Sequence, residues 1–494
     1  MEKRNYKIFP VVFLPKQSYI NRSIHSYIAG ELLFMERESF ASRAGFLLMA
    51  AGCSIGLGNV WRFPFVAGQN GGAFFVLIYL IFLSVLGFPI LVAELAMGRA
   101  SAADLPGAYS SLRNEASPLK HWSAIGHISM VGNLVLLMFY TVVSSWTFSY
   151  AWNYLAALAG TGMDQTIDYT KHFSGILGSW KQMLLFTSLG ILVTGLFCIR
   201  GLRGGMERAV KIMMCGLFLL QGVLAFYAVC LPGAGAGLRF FLAPDWSKVA
   251  TSGVWNVIHA AMAQSFFTLS LGIGSMEILG SYMKKDNSLS KEAWVIIVLD
   301  TFVAITSGLI IFPVCFSFNV NPDAGPSLIF ITLPRVFSAM PGGKVLGLFF
   351  FLFLSIASLS TLIAVTENLI AYVMRFFKTS RLKSTLITCI VLLLASLPCL
   401  FGFNLLKNVQ PLGKGSSILD LEDFIVSSNL LPLGAVSIVL FCSWRYGWGA
   451  ERFLTEANTG KGMKFPRWLI PYMKYVLPLL VSGLWVYEYV VKFF

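Results

Sequence analysis

Residues 52–64 read GCSIGLGNVWRFP, with three glycines, an Asn, an Arg and a Pro set inside an apolar run that begins near Ala44. The run is long enough to cross a bilayer, yet helix formers would hold it straighter. Glycine loosens a helix and proline removes a donor, so the stretch reads as a membrane helix that is interrupted. The interruption carries a condition. Freed N–H and C=O groups survive at mid-membrane only where they line a cavity or bind something.

The composition around this stretch is that of a bilayer protein. Of 494 residues, 56% are apolar and only 12% charged, and the mean hydropathy is +0.73, far from soluble proportions. Runs near 44–66, 72–97, 124–156, 182–199, 209–231, 253–281, 293–318, 345–374, 385–403, 424–444 and 468–491 each approach the ~20 residues a spanning helix needs. The expected fold is therefore an all-α polytopic membrane protein with about eleven transmembrane helices.

The net charge of +14 falls in short loops between these runs, with no basic domain to hold a duplex, so no nucleic-acid partner is expected. It reports topology instead. Arg43, Arg99, Arg203, Lys284 and Arg375 fall in segments that are inner if the N-terminus is cytoplasmic, and the outer loops hold few cations, chiefly Lys171, Arg239, Lys248, Arg335, Lys407 and Lys414. The positive-inside rule favours that orientation, and an odd number of spans puts the C-terminus outside. The eight cysteines show no paired spacing and the five histidines are scattered, so neither a disulfide framework nor a zinc enzyme is expected. The segment 319–343, with four prolines around SLIFITL, reads as an outer loop folded onto the bundle.

SIGLGN (54–59) has a counterpart in SLGIGS (270–275), in the sixth run. Five spans separate them, so two five-helix units starting at spans 1 and 6 lie in opposite orientations, a 5+5 inverted repeat with unwound spans 1 and 6. The expected parts are a cytoplasmic tail (1–43), repeat 1 (44–231), an extracellular loop (232–252), repeat 2 (253–444), and a cytoplasmic loop with span 11 (445–494). Small residues also serve close helix packing. Two matched glycine pairs flanked by polar residues favour a binding site, in which carbonyls suit Na+ and helix N-termini suit a carboxylate.

Together with NGGAF (70–74), GFPILVAELAMGR (87–99), FYTVVSSWT (139–147), QSFFTLSLGIGS (264–275) and ASLSTLIAVTEN (357–368), the opening stretch resembles the neurotransmitter:sodium symporter family, particularly its bacterial amino-acid branch. The resemblance implies two sodium sites. One would use Ser54, Asn59, Thr268 and Asp300, and the other Gly52, Ile55, Ala357, Ser360 and Thr361. Na+ wants about five or six oxygens, and these positions supply carbonyls, hydroxyls, an amide and a carboxylate. Ignoring the motif, Ser360 and Thr361 read as ordinary interhelical hydrogen bonders and Tyr140 as a core aromatic.

The resemblance further implies an amino-acid substrate whose carboxylate meets Gly58 and Tyr140. Its ammonium would meet carbonyls near Cys53, Phe267, Thr268 and Ser270, and its side chain would lie among Ile273, Val365 and Phe267 beside Thr361. Gly56 stands where amine carriers have an Asp, so an amino acid is expected. Asp300 and Ala304 stand where chloride-dependent members have Asn and Ser, which implies chloride-independent symport of a neutral, hydrophobic or aromatic L-amino acid. A sodium-independent carrier and a non-transporting sensor are the alternatives; no enzyme motif stands out.

Arg62 is the expected outer gate, paired with Asp423, or with Asp420 as the runner-up, and lidded by Phe267, although a snorkelling Arg62 is an alternative. Arg37 is the expected inner gate, yet the family's acid for it is here Arg375, so either Arg37 finds another acid, such as Glu367, or the inward side closes differently. Cys215 replaces a proline expected to loosen span 5, and Glu94 reads either as a support for the unwound segments or as a helix-end charge. The implied setting is a bacterial inner membrane, with lipid as partner and the protein a monomer or weak homodimer.

Overall fold

A computed structural model describes residues 38–161, 168–244, 246, 253–318 and 327–493. Among them, nine helices are long and apolar enough to cross a membrane: Ala73–Ser101 (span 2), Trp122–Leu158 (span 3), Trp180–Ile199 (span 4), Leu202–Val229 (span 5), Leu289–Ser317 (span 7), Gly343–Phe377 (span 8), Arg381–Phe401 (span 9), Ile418–Ser443 (span 10) and Leu469–Val490 (span 11). Span 3, at 37 residues, is about 55 Å long, so it overshoots any bilayer core.

The remaining two expected spans are broken. Span 1 starts at Arg43, where the Ser42 hydroxyl caps the Gly45 N–H at 3.0 Å. It runs over Arg43–Ser54, lapses, and resumes as Gly58–Gln69 after a 55° bend. The second piece opens on a wide π-turn, Gly58–Arg62, and Pro64 sits in the first turn of the α-helix Phe63–Gln69 that follows, where its missing N–H costs least.

Span 6 consists of Val254–Thr268 and Ser275–Gly280, each too short to cross alone. Between them Ser270, Gly272 and Gly274 adopt φ of 51°, 93° and 77°, left-handed values that end a helix. Gly272 is needed for a second reason. A Cβ there would collide with the Leu431 carbonyl of span 10, and a Cβ on Gly434 would strike the Gly272 carbonyl. The break is therefore pressed backbone to backbone against span 10.

Short helices cover the loops. Ala234–Leu242 lies within the expected loop 232–252, with Gly237 against the backbone of Phe312 and Pro313 in span 7. Leu328–Ser338 docks as the apolar patch predicts: Phe330 stacks on Phe173 at 5.1 Å and its carbonyl accepts from the Tyr150 hydroxyl. In span 5 the α-helix is continuous from Glu207 to Val229 through Cys215, after a π-turn at Leu202–Met206. With a side chain that keeps its N–H, nothing interrupts the ladder there.

Candidate functional site

The two breaks face each other. The Ser270 hydroxyl donates to the Cys53 carbonyl at 3.4 Å, and the Gln264 amide to the Gly58 carbonyl at 3.1 Å. Side chains from the unbroken helices hold the loose backbone in place. Glu94 of span 2, fully buried, accepts from the Gly272 N–H at 2.5 Å, so it supports the break rather than capping a helix end. Asn133 of span 3 and Asn368 of span 8 both donate to the Ile273 carbonyl, at 2.5 and 3.3 Å. Sequence reasoning gave neither asparagine a role: Asn133 is isolated in an apolar helix, and Asn368, which closes the motif at 357–368, carries no spacing that points to Ile273.

Beside the breaks are two groups of oxygens. In the first, Asp300 of span 7 is fully buried. Its Oδ1 accepts from Asn59 Nδ2 at 2.8 Å, and its Oδ2 from Thr268 at 3.0 Å and Tyr79 at 3.4 Å. All three donors are neutral, and Asp300 forms no ion pair with any described residue. The Asn59 Oδ1 beside it is buried without a partner. A buried carboxylate in that setting calls for a cation.

In the second group, the Thr361 hydroxyl of span 8 stands 3.1 Å from the Gly52 carbonyl oxygen, 3.5 Å from that of Ile55 and 3.4 Å from that of Ala357; Ser360 donates to Ala357 at 2.9 Å. The Thr361 separations are long for O–H···O bonds, which centre near 2.7–2.8 Å. A hard cation would set a comparable spacing. Oxygens arranged octahedrally around a hard cation at about 2.4 Å lie √2 farther apart, about 3.4 Å.

Between the groups is a small cavity of about 20 Å³, lined by Cys53, Ser54, Gly58, Tyr140, Phe267 and Thr361 among others, with room for one or two waters. The Tyr140 hydroxyl accepts from the Leu57 N–H at 3.1 Å. Gly56 also borders it, and a Cβ there would stand 2.5 Å from the Tyr140 hydroxyl and 2.7 Å from that of Thr361.

Ile273 and Val365, expected against the substrate side chain, are fully buried but do not line this cavity; Leu136 and Leu431 do. The two asparagines draw the Ile273 backbone toward spans 3 and 8, and its side chain lies over Gly132.

The expected gates differ from their sequence pairing. Arg62 lies over the Phe267 ring at 4.3 Å with its Nη1 buried and unpartnered, while Asp423 accepts from Ser427 at 2.6 Å. No ion pair joins the two: the Asp423 carboxylate takes the Ser427 hydroxyl one turn along its own helix. Arg37 lies outside the described residues. Arg375 pairs with Asp104, and Glu367 is held by Tyr282 at 2.6 Å and Arg381 at 2.5 Å, so Glu367 already has its cation.

The family model for the sodium:neurotransmitter symporter family matches residues 37–166 and 170–493. The chain belongs to this family. It is a sodium-dependent symporter of that kind and not an enzyme. The symporter is 32% identical over 451 residues to a sodium-dependent transporter of Haemophilus influenzae, covering 90% of this chain and 97% of that one. A mouse sodium- and chloride-dependent creatine transporter is 24% identical over 523 residues, covering 93% and 78%. Among solved structures, MhsT in complex with L-phenylalanine superposes with a TM-score of 0.81 at 35% identity, over 91% of this chain and 99% of that one.

Proposed function

We propose that the symporter uses sodium to drive a neutral, hydrophobic or aromatic L-amino acid across the membrane by alternating access, without chloride. One sodium is assigned to Ser54, Asn59, Thr268 and Asp300, and a second to Gly52, Ile55, Ala357, Ser360 and Thr361. The substrate is assigned to the cavity beside Cys53, Gly58, Tyr140, Phe267 and Ser270. The N-terminus is cytoplasmic and the C-terminus outside.

The observation that carries the reading is Asp300, a buried carboxylate met by three neutral donors and no cationic side chain. A fixed negative charge there balances a cation that otherwise would need a mobile anion. Gly56 leaves no carboxylate for an isolated amine, whereas Tyr140 and the loosened N–H groups suit a carboxylate-bearing substrate. The small cavity must enlarge to admit it, which fits a gate of one ring, Phe267, over the opening. MhsT, the structural relative, holds L-phenylalanine.

Uptake of labelled phenylalanine into proteoliposomes tests this, with gluconate replacing chloride on both sides. Wild type keeps its sodium-driven uptake, and Asp300→Asn loses it in gluconate. Equal collapse of the wild type in gluconate would overturn chloride independence; uptake indifferent to sodium would overturn the coupling.

A further inference from the structure

The larger opening in the symporter is not the central one. Where the C-terminal end of span 3, the start of span 8 and the helices Tyr169–Gly178 and Leu328–Ser338 meet, there is a cavity of about 290 Å³, at the end that the proposed topology puts outside. Its walls are of two kinds. Leu158, Phe337 and Met340 make an apolar side, and Tyr154, Tyr169 and Lys344 bring polar groups.

Three features of the polar side agree in sign. Tyr154 is 3% exposed and its hydroxyl, buried, has no hydrogen-bond partner. Its ring cannot turn away: it stacks on Phe351 at 5.6 Å and presses on Gly347, where a Cβ would collide with it. Lys344 reaches only the Ala157 carbonyl, at 3.5 Å, and forms no ion pair with any described residue. Residues 342–345, the first turn of the 35-residue helix of span 8, also line the opening, and that end of a helix carries partial positive charge. An unused donor, an ammonium and a helix N-terminus together attract an anion.

None of the described residues that line the cavity is acidic, so none of them would greet the ammonium of a zwitterion. That separates it from the central site with its ring of carbonyls. We propose that this outer cavity binds an organic monocarboxylate with a compact apolar body: the carboxylate on Tyr154 and Lys344 at the head of span 8, the apolar part against Leu158, Phe337 and Met340. An occupant would tie the docked helix Leu328–Ser338 to spans 3 and 8.

The test uses the full chain in detergent and potassium buffer without sodium, so its outcome is independent of coupling and of the central site. Radiolabelled 3-phenylpropionate is the probe, with 3-phenylpropanamide and phenylalanine as competitors. Saturable one-to-one binding is expected, weakened about tenfold in Tyr154→Phe and in Lys344→Gln, and displaced by neither competitor. Both variants should keep the wild-type melting temperature, which separates lost contacts from lost folding. Absence of saturable binding into the millimolar range, equal affinity in the variants, or equal competition by the amide would each overturn the proposal.

Discussion

Thr361→Val removes one oxygen from the second group and almost nothing else. Valine keeps the branched shape, so the cavity bordered by Thr361 does not change in volume. The lost hydrogen bonds are long, 3.1 to 3.5 Å, so folding stability should fall by less than about 1 kcal/mol. Sodium binding is another matter. Three carbonyl oxygens, from Gly52, Ile55 and Ala357, then surround a methyl, and a cation among them lacks one of its roughly five or six oxygens. A contact to a charged group is worth about 1.5–3 kcal/mol, which at 1.4 kcal/mol per decade predicts roughly a 10- to 100-fold loss of sodium affinity. The assay is thermal stabilisation of the purified symporter titrated with NaCl at constant ionic strength. Amino-acid affinity at saturating sodium should change little. A sodium midpoint within twofold of wild type, alongside a raised substrate midpoint, would refute the assignment and leave Thr361 a substrate contact.

Gly58→Ala places a Cβ 2.6 and 2.7 Å from Phe267 Cε1 and Cδ1, so the ring must leave its stack on Arg62 and forfeit about 0.5–2 kcal/mol of cation–π attraction. In a background lacking the exposed Cys215 and Cys230, Cys53 should then react faster with a membrane-impermeant thiol reagent; an unchanged rate would mean that Phe267 is not the lid. Arg375→Gln strands the buried Asp104 carboxylate and should lower the melting temperature by the equivalent of about 1–3 kcal/mol, most of which Asp104→Asn in the same chain should restore. No recovery in the double variant would show that the pair is incidental.

Much of this site is legible in the sequence, because local chemistry announces itself locally. Gly56, Gly58, Gly272 and Gly274 mark both breaks, and the motif around Ser360 and Thr361 brings a hydroxyl to the carbonyls of Gly52 and Ile55 across more than 300 positions. What stayed hidden are long-range polar choices with no period. Asn133 reaches Ile273 from 140 residues away and turns it from the cavity. Asp104 takes Arg375 across 271 residues, although a like charge at that position speaks against a latch. Arg62 and Asp423 have suitable charges, yet Asp423 spends its carboxylate on Ser427 of its own helix and Arg62 lies over Phe267.

The redistribution of pairs at the Arg43 end of the bundle has a physical consequence for how that side closes. Four buried acids, Asp104, Glu292, Glu367 and Glu456, each already hold a cation: Arg375, Arg43, Arg381 and Arg99 respectively. Glu207 holds the Ala41 N–H at 2.8 Å and Lys211 at 2.7 Å, tying the start of span 1 to span 5. A single latch would have to carry the whole closing energy, whereas several pairs with one partner in solvent share it, each attraction weakened by screening on the solvent side. Arg43 and Arg375 are such partners, with 41% of each side chain accessible. Arg99, by contrast, is wholly enclosed and also bonds the Asn287 carbonyl at 2.8 Å, so span 2, the loop before span 7 and the segment after span 10 are fastened as one body. Opening at this end should therefore proceed by releasing span 1 at Arg43 and Glu207 while the Arg99 cluster stays shut, which is the division of labour a broken first helix makes possible.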